Sequence, residues 1–371
     1  MIATKVKNID EAINWYIDKR PVYLNLAKKV ESIIREVLNA NGASYYVISS
    51  RAKEIESFSE KAKKEKYRDP INELKDLAGI RVITYVKSEV DTCCQIIKPL
   101  FNIDQQHSVD KAKELGDDKV GYRSIHYVAE LTDDRLKLPE YRIFKGMCFE
   151  VQIRTILEHA WADISHDRNY KFKGVLPPDN DIERRFSLAA ATLELVDREF
   201  NAIAKEIDTY KDSVINNTSK GNLGEIDINS TSLEEYLKIK FAKFIEDTSI
   251  EASFKGGEKD IIKELNLYGL KSLSDIDEII GSDLVKFTVC SATFLGLLRD
   301  AMVLHDANKY FSNAWITKWV LDDQTYNFYK NNRVNIDEMI EKYNIKFEED
   351  DLDEDDLDDH DLYVDDLDED L

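Results

Sequence analysis

Eight residues, Cys148-Phe-Glu150-Val-Gln152-Ile-Arg154-Thr155, constrain this chain more than any other stretch. Apolar and polar residues alternate there, and a pleated strand sends successive side chains to opposite faces. Phe149, Val151 and Ile153 are left for a core, while Glu150, Gln152 and Arg154 stand in register on the other face. Three aligned polar groups on a strand whose other side is apolar do not make a packing pattern. A second run, Asp76-Leu-Ala-Gly-Ile-Arg81-Val-Ile-Thr-Tyr, again sets a carboxylate and an arginine beside a β-branched, apolar segment. A carboxylate from each run could share one Mg²⁺, with Arg and Lys groups taking phosphate oxygens.

The rest of the chain reads as what surrounds these two strands. Residues 9 to 41 have helical spacing in one or two helices, broken by Pro21. Tyr45 to Ile48 is a short strand, and Ser49-Ser50 offers a hydroxyl cap for a helix through about Lys66. On that helix Arg51 falls in the first turn, and Lys53, Ser57 and Lys61 recur at i, i+4 and i+8 on one face. A short helix at 71–77 leads to a strand at 80–86 and a helical segment near 89–100. The charged stretch 102–120 lacks periodicity and reads as a long loop of the kind that carries function. Strand character resumes at Gly121-Tyr122-Arg-Ser-Ile-His126, where Tyr122, Ser124 and His126 share a face. A hairpin connection at 132–139 precedes the strand 148–155. The helix from 156 to 169 takes Leu157, Ala160, Trp161 and Ile164 as its buried stripe.

After Pro177-Pro178 the pattern is helical: 182 to about 210, 233–245, 261–267, 273–280 and 284–304, with shorter pieces at 315–320 and 336–343. The Asn-, Ser- and Gly-rich stretch 216–231 is the best internal boundary. The domains expected are 1–200, a helix end and linker at 201–231, a mainly helical domain at 232–347, and a tail at 348–371. The fold class expected is α+β, a mixed β-sheet flanked by helices followed by a mainly helical region.

Net charge places the acidity. The formal charge is −22, but residues 348–371 hold sixteen Asp or Glu and no Lys or Arg, so the remainder carries −6. That tail is dense enough in charge to be disordered, and the chain before it is not barred from binding polyanions. Four cysteines without zinc or disulfide spacing fit reduced thiols in a cytoplasmic protein. Nowhere do eighteen apolar residues run together, so no membrane partner is expected.

Five blocks, Arg51-Ala-Lys53 with Lys61, Asp76-Leu-Ala-Gly-Ile-Arg81-Val, Gly121-Tyr-Arg-Ser-Ile-His126, Glu150-Val-Gln-Ile-Arg-Thr155 and His166-Asp-Arg-Asn-Tyr-Lys171, resemble the ordered motif set of the RelA/SpoT-type alarmone synthetase domain. The resemblance covers roughly residues 1–200 and implies a nucleotidyltransferase-like synthetase fold. It implies transfer of pyrophosphate from ATP to the ribose 3′-hydroxyl of GDP or GTP, with Mg²⁺ as cofactor. By that resemblance Arg51 and Arg81 flank the adenine, Lys53, Ser57 and Lys61 hold ATP phosphates, and Asp76 and Glu150 bind the metal. Glu150 also accepts the 3′-hydroxyl proton. Tyr122 stacks on the acceptor guanine, with His126, Gln152, Arg154 and Lys119 completing the acceptor contacts. Short members of the family suggest a homo-oligomer.

One position departs from the pattern: many members carry Lys three residues before the Gly-Tyr step, where this chain has Asp118. The departure opens an alternative, since toxin members of the superfamily pyrophosphorylate the 3′ CCA end of tRNA. The Ala-Met-Val-Leu-His305-Asp306 stretch mimics a hydrolase motif. It lacks a suitable upstream histidine and reads as a helix with His305 at its edge.

Overall fold

The computed structural model describes residues 9–110, 124–172, 181–224, 226–289 and 293–348, and for 166–172 and 183 it describes backbone only. The expectations for the loop 111–120, for Lys119 and Tyr122, and for the tail beyond 348 lie outside the described residues. The chain divides into two compact units, 1–206 and 207–371.

The first unit begins with α1, Ile9–Ala40, a single helix that runs through Pro21. The break expected at Pro21 does not occur. One face of the helix is buried both before it, at Ala12 and Tyr16, and after it, at Tyr23, Leu26 and Val30. Packing on both sides outweighs one lost backbone hydrogen bond. Strand β1, Val47–Ala52, is longer than expected and takes in Ser49, Ser50 and Arg51. These residues pair with β2, Ala78–Thr84, rather than capping a helix. Helix α2 therefore starts only at Ile55 and ends at Ala62. Lys53 lies before it in the chain, so the expected stack of Lys53, Ser57 and Lys61 on one helix face does not form.

A four-residue helix α3, Pro70–Glu73, precedes β2, and α4, Lys87–Ile97, follows it. The short strands β3, Asn102–Ile103, and β4, Val109–Asp110, lie inside the stretch 102–120 expected as a loop, because each finds backbone partners on the strand that follows, 125–130. Strands β5, Ile125–Glu130, and β6, Phe149–Thr155, form the antiparallel pair expected, joined through α5, Asp133–Leu136. The sheet order is β1-β2-β6-β5-β3, with β4 also on β5. Among the described strands of this sheet, only the central β2–β6 pair is parallel. The inner side chains Ile80, Val82, Val151 and Ile153 join α1, α2 and α4 in one core.

Tyr16 of α1 stacks on Phe58 of α2 at 4.4 Å, a contact of about 1 kcal/mol. Its hydroxyl donates to the Lys53 carbonyl at 2.6 Å, and Arg20 Nε donates to the same oxygen at 3.1 Å. The long helix thus fixes the turn that carries Lys53.

Helix α6, Ile156–Phe172, departs from its expected buried stripe. Ala160 is exposed, Ile164 is 57% exposed, and Leu157 and Trp161 are only half-buried. Helix α7, Ile182–Ser219, runs nine residues beyond its expected end and into the stretch read as a loop.

In the second unit, α8, Ser230–Lys240, α9, Ala242–Glu246, α10, Glu258–Tyr268, and α11, Leu273–Ile280, follow the expected order. The helix expected from 284 is instead a single tight turn, Val285–Val289, and then α12, Phe294–Asn313. Thr293 starts α12 by accepting from the Gly296 N–H, a cap that favours a fresh helix start. The piece expected at 315–320 is not helical; Trp315 and Trp319 pack around Phe311 instead. Helix α13, Asp323–Asn331, was not foreseen, and α14, Ile336–Tyr343, was. His305, on α12, meets the Tyr268 hydroxyl through Nδ1 at 2.6 Å. The α+β class, a mixed sheet with flanking helices followed by a helical region, is as expected.

Candidate active site

Strand register brings the two motifs together. Arg51 pairs with Gly79, and Gly79 lies beside Glu150 on the next strand. One row along, Ser49 pairs with Arg81, Arg81 neighbours Gln152, and Gln152 neighbours His126. Side chains in these rows leave the sheet on one face, so Arg51, Arg81, Glu150, Gln152 and His126 share it. Gly79 contributes no side chain between Arg51 and Glu150, and that gap is part of the floor of a recess of about 40 Å³.

Asp76, just before β2, lies against this face. Its Oδ2 accepts from Lys53 Nζ at 2.9 Å and Lys61 Nζ at 2.6 Å, so the two lysines converge on one oxygen from different elements. Its Oδ1 is buried and has no hydrogen-bond partner among the described residues. A buried carboxylate oxygen left unpaired is costly, and such groups in folded proteins mark a missing ion, water or ligand. Glu150 is held at both oxygens, by His126 Nδ1 at 2.9 Å and Gln152 Nε2 at 2.7 Å. His126 is fixed in turn through Nε2 by the buried Ser124 hydroxyl at 2.6 Å.

Burial pushes both carboxyls up, but their partners win. Lys53 and Lys61 hold Asp76 below the usual carboxylate range. The hydrogen bonds and charge of His126, with Gln152, do the same for Glu150 against the opposing charge of Asp76. Both are ionised at neutral pH.

The two carboxylates separate two recesses. The small one holds Arg51, Lys53, Arg81 and Gln152. On the other side Asp76 and Glu150 line a wider one of about 620 Å³ with Lys61, Lys66, Tyr67, Lys75 and His107. Sequence reasoning found Lys61 but not Lys66, Tyr67, Lys75 or His107, which sit in short irregular stretches without periodicity. It also missed Gly79 as a floor residue, although a glycine between strand residues is a signal for close approach.

Other expected site residues stand elsewhere. Ser57 is exposed on α2 and lines neither recess. Arg154 is 2% exposed, with Nη2 at 2.6 Å from His159 Nδ1 and 3.6 Å from Asp163. Arg81 reaches toward the same Asp163 at 3.9 Å. Among the described residues no three His, Cys, Asp or Glu side chains group to hold a metal. The site therefore offers two carboxylates, an oxygen donor set that suits a hard cation.

Comparison with known proteins agrees with the motif reading. Residues 50–175 match the "Region found in RelA / SpoT proteins". The chain is 27% identical over 166 residues to GTP pyrophosphokinase YjbM of Bacillus subtilis, covering 43% of this chain and 72% of that one. It is 27% identical over 168 residues to GTP pyrophosphokinase YwaC of the same organism, covering 43% and 73%. Among solved structures, a GTP pyrophosphokinase family protein from Streptococcus pneumoniae aligns at 26% identity and a TM-score of 0.43, over 53% of this chain and 96% of that one. No helix among the described residues is long and apolar enough to cross a membrane.

Proposed function

We propose that this chain, whose residues 50–175 form a RelA/SpoT-type region, transfers pyrophosphate from ATP to the ribose 3′-hydroxyl of GDP or GTP, releasing AMP. The observation that carries the reading is Asp76, with one carboxylate oxygen clamped by two lysines and the other buried and unpaired beside Glu150. Phosphoryl-type transfer asks a protein mainly for in-line positioning and charge neutralisation, and the groups to supply both converge here.

ATP lies over the mouth of the small recess, against Arg51 and Arg81, with its phosphates toward Lys53 and Lys61. The acceptor occupies the wider recess, where Lys66, Lys75 and Tyr67 offer charge and a ring. Asp76 Oδ1 and Glu150 would hold Mg²⁺, whose chemistry is to neutralise charge developing on the transferred phosphates. Lys53 and Lys61 keep Asp76 ionised for that role. Glu150, oriented by His126 and Gln152, stands between the recesses as the base for the 3′-hydroxyl proton. Tyr122 and Lys119 are assigned to the acceptor by sequence alone.

The test is label transfer from ATP to GDP, GTP or bulk tRNA, separated chromatographically. Label on GDP or GTP is expected. No transfer to any acceptor would end the pyrophosphokinase reading, and label on tRNA alone would reassign the acceptor to a 3′ CCA end, the reading that Asp118 in place of Lys opens.

A further inference from the structure

A third recess in the first unit adjoins the wide one and shares Asn72 and Lys75 with it. It has a volume of about 320 Å³ and lies between α1, the segment 71–75 and the turn 143–148, within the size range of small-molecule sites. Three lysines reach it from three separate segments: Lys19, Lys75 and Lys145. No Asp or Glu lines it, and none of the three lysines makes an ion pair among the described residues. Beside the lysines it is lined by Trp15 and Tyr23, packed edge to face at 6.2 Å, and by apolar side chains that include Val22 and Ile143. Gly146, at φ +72°, makes the turn that sets Lys145 and Met147 on the rim, a backbone angle that favours glycine. Uncompensated positive charge beside an aromatic wall is what recognises a planar ring carrying several negative charges.

We propose that this pocket is a second nucleotide site that binds a nucleoside 5′-polyphosphate, its base against Trp15 and Tyr23 and its phosphates on Lys19, Lys75 and Lys145. The site is joined to the proposed catalytic one by a single wall. Asn72 and Lys75 line both this pocket and the wide recess beside Glu150, and Asp76 is the next residue in the chain. A ligand that draws Lys75 toward its phosphates acts on the segment that positions Asp76. That regulatory link rests on the pyrophosphokinase reading; occupancy of the pocket does not.

Equilibrium dialysis of the full chain against labelled ATP and labelled GTP, one at a time, tests the site without any turnover. Wild type is compared with Lys19→Glu/Lys145→Glu, which alters neither recess beside Asp76 and Glu150. For at least one nucleotide, the double variant should bind one fewer molecule per chain, through a loss of at least 10-fold in affinity at that site. Trp15→Leu, which leaves the charge intact, should weaken the same site several-fold. Inorganic tripolyphosphate should displace the nucleotide only at much higher concentration. Equal stoichiometry and affinity in wild type and double variant would overturn the site. Displacement by tripolyphosphate as strong as by nucleotide would overturn the base-binding half. A chain that failed to transfer pyrophosphate would still lose one bound nucleotide in the double variant, so the two readings fail separately.

Discussion

Two carboxylates, fully buried Glu264 in the second unit and partly buried Asp76 in the first, are solved in opposite ways. Glu264 of α10 is fully buried, and four donors meet its two oxygens. Arg299 Nε (2.9 Å) and the Tyr310 hydroxyl (3.1 Å) donate to Oε2; Arg299 Nη2 (2.8 Å) and the Thr317 hydroxyl (3.0 Å) donate to Oε1. Every partner comes from the protein, and nothing is left to bind. Asp76 receives both of its donors on one oxygen and leaves the other buried and empty. A carboxylate saturated by its own chain holds a fold together, whereas one half-satisfied at the junction of two recesses is poised for something the chain does not supply.

The comparison breaks most easily at the site itself. Glu150→Gln keeps a carbonyl for His126 but removes the base and one ligand charge, and kcat should fall by about 10²- to 10⁴-fold with little change in Tm. Steady-state kinetics and thermal unfolding of the same preparation decide it; normal turnover would remove Glu150 from the mechanism. Glu264→Ala should do the reverse. It strands Arg299, 14% exposed, without its carboxylate, and should cost about 3 kcal/mol in the second unit's unfolding transition by denaturant. A loss below about 1 kcal/mol would mean that the four-donor arrangement is not what stabilises the fold.

Much of this arrangement was legible in the sequence because strand alternation is a strict rule. The single pattern of Glu150, Gln152 and Arg154 against Phe149, Val151 and Ile153 gave both the polar row and its buried reverse. Helical periodicity was less secure where a competing partner existed. Ser49 and Ser50 look like a helix cap, but β2 offers them a ladder of backbone bonds instead. Pro21 looks like a break, but burial on either side carries α1 through it. Lys66, Tyr67, Lys75 and His107 could not be read at all, because they converge through tertiary folding of irregular segments. Arg154 follows the alternation of Glu150 and Gln152, yet it is buried beside His159 and Asp163, an environment that depends on how α6 leaves the strand.

A third carboxylate sharpens the contrast. Glu158, at the start of α6, is largely buried, accepts from the Thr155 N–H at 3.0 Å and has Lys87 only at 4.0 Å. Burial dominates these weak partners and pushes it up to about 7. Because the folded value is raised, its ionisation opposes folding, and stability should be lost as pH rises from about 4.5 to about 7. Asp76 and Glu150 have the opposite sign. Their folded values are depressed, so the stability they contribute is present above the unfolded carboxylate range and lost only as pH falls through the folded values. Glu158→Gln should therefore raise stability by about 3 kcal/mol at pH 8 and leave it unchanged at pH 4. Thermal scans at the two pH values read this directly; equal effects at both would show that Glu158 is not ionising within the fold.

The smallest expected effect probes redundancy. Thr317 is exposed, and its hydroxyl is one of four donors to Glu264 as well as an acceptor from Arg299 Nη2 at 2.9 Å. Thr317→Val deletes that hydroxyl while keeping its volume, and Arg299 and Tyr310 still reach both sides of the carboxylate network. The net loss should be about 0.5–1 kcal/mol, the usual worth of one neutral hydrogen bond near solvent. Lys53→Met makes the matching deletion at Asp76, where only Lys61 would remain on the carboxylate. That change should cost no more stability than Thr317→Val, yet lower kcat/KM for ATP by at least 10-fold. If the two substitutions moved stability and turnover alike, the division between a carboxylate that holds the fold and one that waits for a substrate would fail.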